Sequence, residues 1–364
     1  MIPLRFRLIP FQLILKSIAT INSPMKASVY TGPQKLEVRD VQVPVISEDE
    51  VLLKISACGV CGTDIVKYQY DMVKPPIVLG HEVAGVIEKV GKNVTKFKKG
   101  DRVVVAHHTP CYSCHFCKHG NVSMCETFKR SNLDPGGFAE YLRIPAPHVQ
   151  MTAHKVPDEM TFEEAIFMEP LACILRNIKR ANLQQKDSAL IIGLGSVGLM
   201  TGMALKSMGM KVFATDLKEE RIALAKKLGL DWAAIPSAAL KDEIHSRTNP
   251  KGVDLVVLTA GNEKVYSQSV EYVRDGGTVS IFAGMGPESK LEFNINNLYK
   301  REITLYASYS PSPIELMEAL QMIQNREVDV RALTPKMFSL DQVEEAILQV
   351  QKQQIFKAII QPSL

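Results

Sequence analysis

Gly193-Leu194-Gly195-Ser196-Val197-Gly198 follows the apolar run Ala189-Leu190-Ile191-Ile192, which reads as a buried parallel strand. It leads into a helical pattern, Leu199, Met203, Leu205 and Met208, closed by Gly209. Strand, glycine turn and helix in that order are the context in which G-x-G-x-x-G binds a dinucleotide. Gly193 makes the tight turn, Gly195 lets backbone approach a pyrophosphate, and Gly198 lets helix and strand pack closely. Val197 lies in the same cradle, where the helix N-terminus adds partial positive charge. A second strand, 211–215, ends on Asp216, 18 residues after Gly198. An acid at that place accepts both hydroxyls of an adenosine ribose and repels a 2′-phosphate, so NAD is expected over NADP.

The rhythm around this stretch extends the reading. Six apolar strand candidates (188–193, 211–215, 232–235, 253–258, 278–283 and 303–308) follow one another, and helical patterns separate the first five. That alternation predicts an α/β doubly wound sheet over 171–309. From Met25 to Pro170 the chain is instead strand-rich and punctuated by turns, as in Val83-Ala84-Gly85-Val86-Ile87-Glu88-Lys89-Val90, which suggests a small folded-over barrel. The tail, 310–364, returns to that style with two helices and a last strand, Phe356-Lys357-Ala358-Ile359-Ile360. Residues 25–170 and 310–364 are therefore expected to form one domain and 171–309 the other.

With 364 residues, the chain has room for two cores. Hydrophobic content of 46% with 23% charged residues is ordinary for a globular enzyme. Arg5, Arg7 and Lys16 supply three of the net four positive charges, which leaves no case for a nucleic-acid surface. Residues 1–24 carry a short apolar run, far below the roughly 20 residues that span a bilayer. They are expected to be a dispensable extension or an early start, with a targeting peptide as the alternative.

Six of the seven cysteines fall in two tight clusters, a distribution that suits metal ligation in a reducing, cytoplasmic setting. Cys111-x-x-Cys114-x-x-Cys117 and Cys125 form a four-thiolate set within 15 residues. Four sulfurs fill a tetrahedral zinc shell and leave no open position, so this zinc is structural. Cys61, His81, Glu82 and Glu169 are dispersed, and spacing alone does not assemble them.

Gly80-His81-Glu82-x-x-Gly85, the cysteine lobe, Gly137-Phe138-Ala139-Glu140-Tyr141, Glu169-Pro170-Leu171 and the glycine fingerprint together resemble the zinc-dependent medium-chain alcohol dehydrogenases. The likeness runs from Met25 to the C-terminus, and Glu169-Pro170-Leu171 looks like the branch that oxidises polyols (sorbitol, xylitol) or the 3-hydroxyl of threonine. The resemblance implies a GroES-like β-barrel catalytic domain beside a Rossmann NAD-binding domain. It implies Cys61 and His81 as ligands of a catalytic zinc, with Glu82 and Glu169 ligating directly or through water. By the same resemblance Asp64 orients His81, and Thr63 accepts the alcohol proton. Arg221 reaches the adenosine ribose, and Gly284 lies near the carboxamide. An open zinc site supplies the Lewis acidity that brings an alcohol's ionisation toward neutral pH.

Two departures qualify the likeness. Many relatives carry a histidine five residues after the ligand cysteine, where this chain has Val66, so the proton is expected to leave through Thr63, the ribose and water, or through Glu82. Sorbitol-type members carry an arginine where this chain offers Ser308. The expected activity is NAD-linked oxidation of a secondary alcohol (a polyol, sugar-derived or amino alcohol) to a ketone, with threonine or a plain secondary alcohol as alternatives. A zinc-independent double-bond reductase and a non-catalytic NAD- or zinc-binding protein are the other classes weighed. A homo-oligomer, tetramer or dimer, is expected, without nucleic-acid or membrane partners. Cys58 and Cys173 read as packed residues, Tyr68 lies where substrate could pass, and His107 and His108 are candidates to line the cleft.

Overall fold

The computed structural model describes residues 24–364 except Asp71 and Pro287; the expected extension, 1–24, lies outside them save for Pro24. The Rossmann half is built on β9 (Ser188–Ile192), β10 (Lys211–Thr215), β11 (Trp232–Ala234), β12 (Val253–Leu258), β13 (Val273–Ile281) and β14 (Thr304–Ala307). Their spatial order is β11-β10-β9-β12-β13-β14, all parallel. The chain starts at the centre, winds outward to β11, then crosses back to β12. That reversal leaves a crevice between the carboxyl ends of β9 and β12, where open α/β sheets bind ligands.

All five residues of β9 are buried, as expected of a strand covered on both faces. Gly193 follows at φ +98°, and a Cβ there would strike Ala260. A Cβ on Gly198 would overlap the Gly193 carbonyl oxygen, whereas one on Gly195 would meet open space. Two of the glycines thus close the turn, and the third leaves its mouth free. The helix that follows, Ser196–Ser207, ends against Gly209 in the left-handed region. There the Gly209 and Met210 amides bond the last carbonyls.

The other half consists of β1 (Pro24–Gly32), β2 (Lys35–Gln42), β3 (Val51–Gly59), β4 (Ile77–Val78), β5 (Glu82–Val90), β6 (Arg102–Ala106), β7 (Tyr141–Ile144), β8 (Ala153–Lys155), β15 (Lys336–Phe338) and β16 (Ala358–Ile360). They form one sheet in the order β15-β16-β3-β5-β6-β8, with β7 also on β3, and a smaller one, β2-β1-β4. The C-terminal strand β16 pairs with β3, so the tail returns to the barrel. Helix α1 (Gly62–Tyr70) follows β3, and α2 (Met168–Arg180) joins the two halves. Ten of the 13 residues of α2 are buried. Its Leu171, Ile174 and Leu175 share one core with Ala57, Ala84 and Val104 of the barrel and with Ala189 and Ile191 of the Rossmann sheet. Glu169, in the first turn of α2, therefore stands at the seam.

Candidate catalytic and cofactor sites

Strand register explains the first cluster. Gly59 on β3 pairs with Glu82 on β5, and Glu82 in turn pairs with Ala106 on β6. The residues just beyond these strand ends, Cys61, His81 and His107, therefore gather at one corner of the barrel, facing Glu169. Donor atoms of Cys61, His81 and Glu82 all lie within 4.8 Å of one another, as do those of His81, His107 and Glu169. A thiolate, an imidazole and carboxylates at such spacing are a donor set that suits zinc, and Glu82 Oε1 is buried without a hydrogen-bond partner.

Asp64, wholly buried in α1, ties this corner together. Its Oδ2 accepts the Cys61 amide at 3.0 Å, and its Oδ1 accepts the Gly80 amide at 3.2 Å and faces His81 Nδ1 at 3.4 Å. Burial pushes its carboxyl pKa up, but His81 and these bonds outweigh it and hold the group below its ordinary value. The same partner fixes which His81 nitrogen stays free for a metal. Glu169 is pushed up to about 7, chiefly by burial, with the charge of Glu82 adding to it against the pull of His81.

Three neighbours were not foreseen as parts of this corner. Lys357, 4% exposed, forms a buried ion pair with Glu82. A lone lysine inside an apolar strand was the only signal for it. Cys173 is not merely packing: its thiol faces Glu169 Oε1 at 3.6 Å, one helical turn away. Gly59 leaves room for the pair, since a Cβ there would overlap Glu82 Oε2 and press on Lys357. Conversely Tyr68 is buried in the barrel core, where it donates to Glu344 at 2.7 Å. His107 does face the cluster, while His108 is taken up by the Ser131 carbonyl and the Phe128 ring. Thr63 stands exposed at the start of α1, with Val66 exposed one turn on.

The second cluster is the lobe of Cys111, Cys114, Cys117 and Cys125, whose sulfurs lie within 4.8 Å of one another. Cys111 Sγ accepts from Ser113 Oγ and from the Cys114 amide, both at 3.4 Å, and these donors bring its thiol down to about 5. Thiolates stabilised in this way suit zinc. The lobe is not empty of apolar contact, because Val122 and Phe128 pack against the cysteines.

At the Rossmann crevice, Asp216 is buried at the tip of β10. Its Oδ2 accepts the Leu194 amide of the glycine turn at 2.6 Å, and its Oδ1 accepts the Lys218 amide at 3.0 Å. Arg221 Nη1 is 3.5 Å from Asp216 and 3.2 Å from Gln353 Oε1. Gly284 borders a groove with Gly261, Asn262 and Met285, and nothing lies within 4 Å of where its Cβ would be.

Comparison with known proteins identifies the family. Residues 47–158 match the alcohol dehydrogenase GroES-like domain, and residues 196–325 match the zinc-binding dehydrogenase domain. The chain is 32% identical over 337 residues to sorbitol dehydrogenase of Bacillus subtilis, covering 90% of this chain and 94% of that one. It is 30% identical over 356 residues to D-arabinitol dehydrogenase 1 of Uromyces fabae, covering 94% and 99%. A zinc-binding dehydrogenase from Sinorhizobium meliloti, solved with NADP, superposes with a TM-score of 0.84 at 26% identity, covering 93% and 100%.

Proposed function

The chain belongs to the zinc-dependent medium-chain alcohol dehydrogenases, and from that premise we propose that it oxidises a secondary hydroxyl of a polyol to the ketone with NAD. The observation that carries this reading is the convergence of Cys61, His81, Glu82 and Glu169 at the seam between barrel and Rossmann sheet. Zinc held by Cys61, His81 and a carboxylate supplies the Lewis acidity that makes an alcohol acidic. The buried Asp64 keeps Cys61 and His81 in register for it. Glu82, balanced by Lys357, and Glu169 supply exchangeable carboxylates. Thr63 Oγ1 receives the substrate proton and passes it outward, because Val66 offers no second base. Cys111, Cys114, Cys117 and Cys125 hold the structural zinc.

For the cofactor, Gly193, Gly195, Val197 and Gly198 cradle the pyrophosphate, Gly284 borders the nicotinamide, and Asp216 with Arg221 receives the ribose. A buried carboxylate beside a guanidinium already bonded to Gln353 disfavours a 2′-phosphate, which favours NAD. The polyol branch is supported by the sorbitol and arabinitol dehydrogenases among the relatives. We further propose that 25–170 with 310–364 acts as the catalytic domain and 171–309 as the NAD domain, supported by the pairing of β16 with β3. A homo-oligomer is supported by the open edge of β14 beside the exposed Ile295 and Tyr299. Seven free cysteines and no membrane-length apolar helix among the described residues support a cytoplasmic enzyme.

NADH formation measured on a panel of sorbitol, xylitol, an inositol, 2,3-butanediol, threonine and 2-butanol, with zinc assayed and subunits counted by light scattering, tests the reading. Expected are two zinc ions per subunit, a preference for NAD of about 100-fold or more, and turnover of the polyols. In Thr63→Val kcat falls about 100-fold. A single zinc, held by the lobe alone, would sink the catalytic assignment.

A further inference from the structure

We infer that His107 reads the hydroxyl next to the reacting carbinol, so that the site selects vicinal diols over simple secondary alcohols. The inference rests on the polyol reading above and deepens it. His107 is the first residue after β6, and one of its donor atoms lies within 4.8 Å of those of His81 and Glu169. Its place is well defined. His148 Nε2 bonds its carbonyl oxygen at 2.9 Å, and its ring is packed between His81 (centroids 4.4 Å apart) and His108 (3.8 Å).

Of these three imidazoles, His81 faces Asp64 and His108 bonds the Ser131 carbonyl, whereas His107 Nδ1 is buried with no partner. A buried polar nitrogen left unpaired is costly, so a partner for this ring is to be sought in what binds beside it. The metal is a poor match. Two imidazoles on one tetrahedral zinc, with bonds of about 2 Å, keep their ring centroids about 5 Å apart and point nitrogens, not faces, at each other's ligand. His81 and His107 instead stack at 4.4 Å, tilted by 45°.

A hydroxyl fits the ring better. An imidazole offers one donor and one acceptor, and a hydroxyl answers either. A polyol bound through one carbinol at the zinc corner carries its neighbouring hydroxyl within reach of His107. A simple secondary alcohol puts a methyl or methylene group there and leaves the nitrogen unpaired. Sites built to bond a hydroxyl discriminate strongly against analogues that lack it.

The test compares kcat/KM for 2,3-butanediol and 2-butanol in the zinc-loaded wild type, His107→Phe and His107→Gln, with zinc content measured for each. Wild type should favour the diol, and His107→Phe should lower the diol-to-butanol ratio tenfold or more with two zinc ions still bound. His107→Gln, which keeps a donor and an acceptor, should hold the ratio within about threefold and covers the case in which the Phe variant does not fold. An unchanged ratio in both variants, with wild type favouring the diol, overturns the inference alone. Loss of the catalytic zinc from His107→Phe overturns it in favour of a metal ligand. A wild type that prefers 2-butanol overturns the polyol reading itself.

Discussion

Glu82 is the most constrained residue of the site, since its carboxylate occupies the space that a side chain on Gly59 would need and its counter-ion is the equally buried Lys357. Burial works against the lysine's charge, but Glu82 outweighs it and raises the Lys357 pKa. Removing one partner of such a pair leaves the other charge uncompensated, which costs about 3–5 kcal/mol. Lys357→Met should therefore destabilise the protein by about that amount in urea titration, and adding Glu82→Gln should restore most of it. A loss below about 1 kcal/mol would show that Lys357 does not carry the charge balance. The same pair shows where reading by residue stops. Glu82 announces itself beside His81 in a familiar motif, while Lys357 is 275 positions away and gains its meaning only when β16 pairs with β3.

At the scale of elements, the segment between α3 (Val343–Gln351) and β16 links the two sites. Its Gln353 carbonyl accepts from Lys218 at 2.7 Å and from Arg221 at 3.3 Å, so one short strap joins the Asp216–Arg221 corner to Lys357. The cysteine lobe is attached differently. Arg176 on α2 donates to the Gly120 carbonyl of the lobe and to the Ser310 carbonyl, each at 3.2 Å. The lobe's own core is Val122 and Phe128 against the four cysteines, too little to keep 111–125 folded without metal. Cys114→Ser is expected to lose one zinc of two and to open the lobe to proteolysis between 111 and 125, while the other zinc remains. Retention of both zincs with an intact lobe would refute the structural assignment. The two sites also differ in legibility. The lobe lies within 15 residues and declares itself by spacing, whereas the proposed catalytic ligands come from the ends of β3, β5 and α2.

For the molecule as a whole, acid stability follows from histidines folded into the barrel as neutral rings. His154 on β8, remote from the metal corner in sequence, is pushed down to about 4 by burial and then by the charge of Lys96. Its unfolded value is about 6.5, so between those values the unfolded chain binds a proton that the native state does not. Stability from this group is complete above pH 6.5 and is lost as pH falls through that window, by about 2 kcal/mol at pH 5. The urea midpoint of the wild type should drop between pH 7 and pH 5, and His154→Gln should show a shallower drop. Equal drops would mean that His154 titrates normally in the native state.

The chain by itself determined the features that depend on neighbours in sequence. The strand–glycine–helix unit and the acid after the second strand mark the nucleotide crevice, because a tight turn restricts which residues can stand within it. The six-strand alternation dictates the doubly wound sheet, because parallel strands need helical crossovers. The four-cysteine lobe closes on itself. Only the tertiary structure decided that Lys357 balances Glu82, that Tyr68 is spent on Glu344, and that His107 joins His81. Each of those pairs is joined by strand register or helix docking across the fold, and a polar side chain carries no mark of its partner until desolvation forces it to have one.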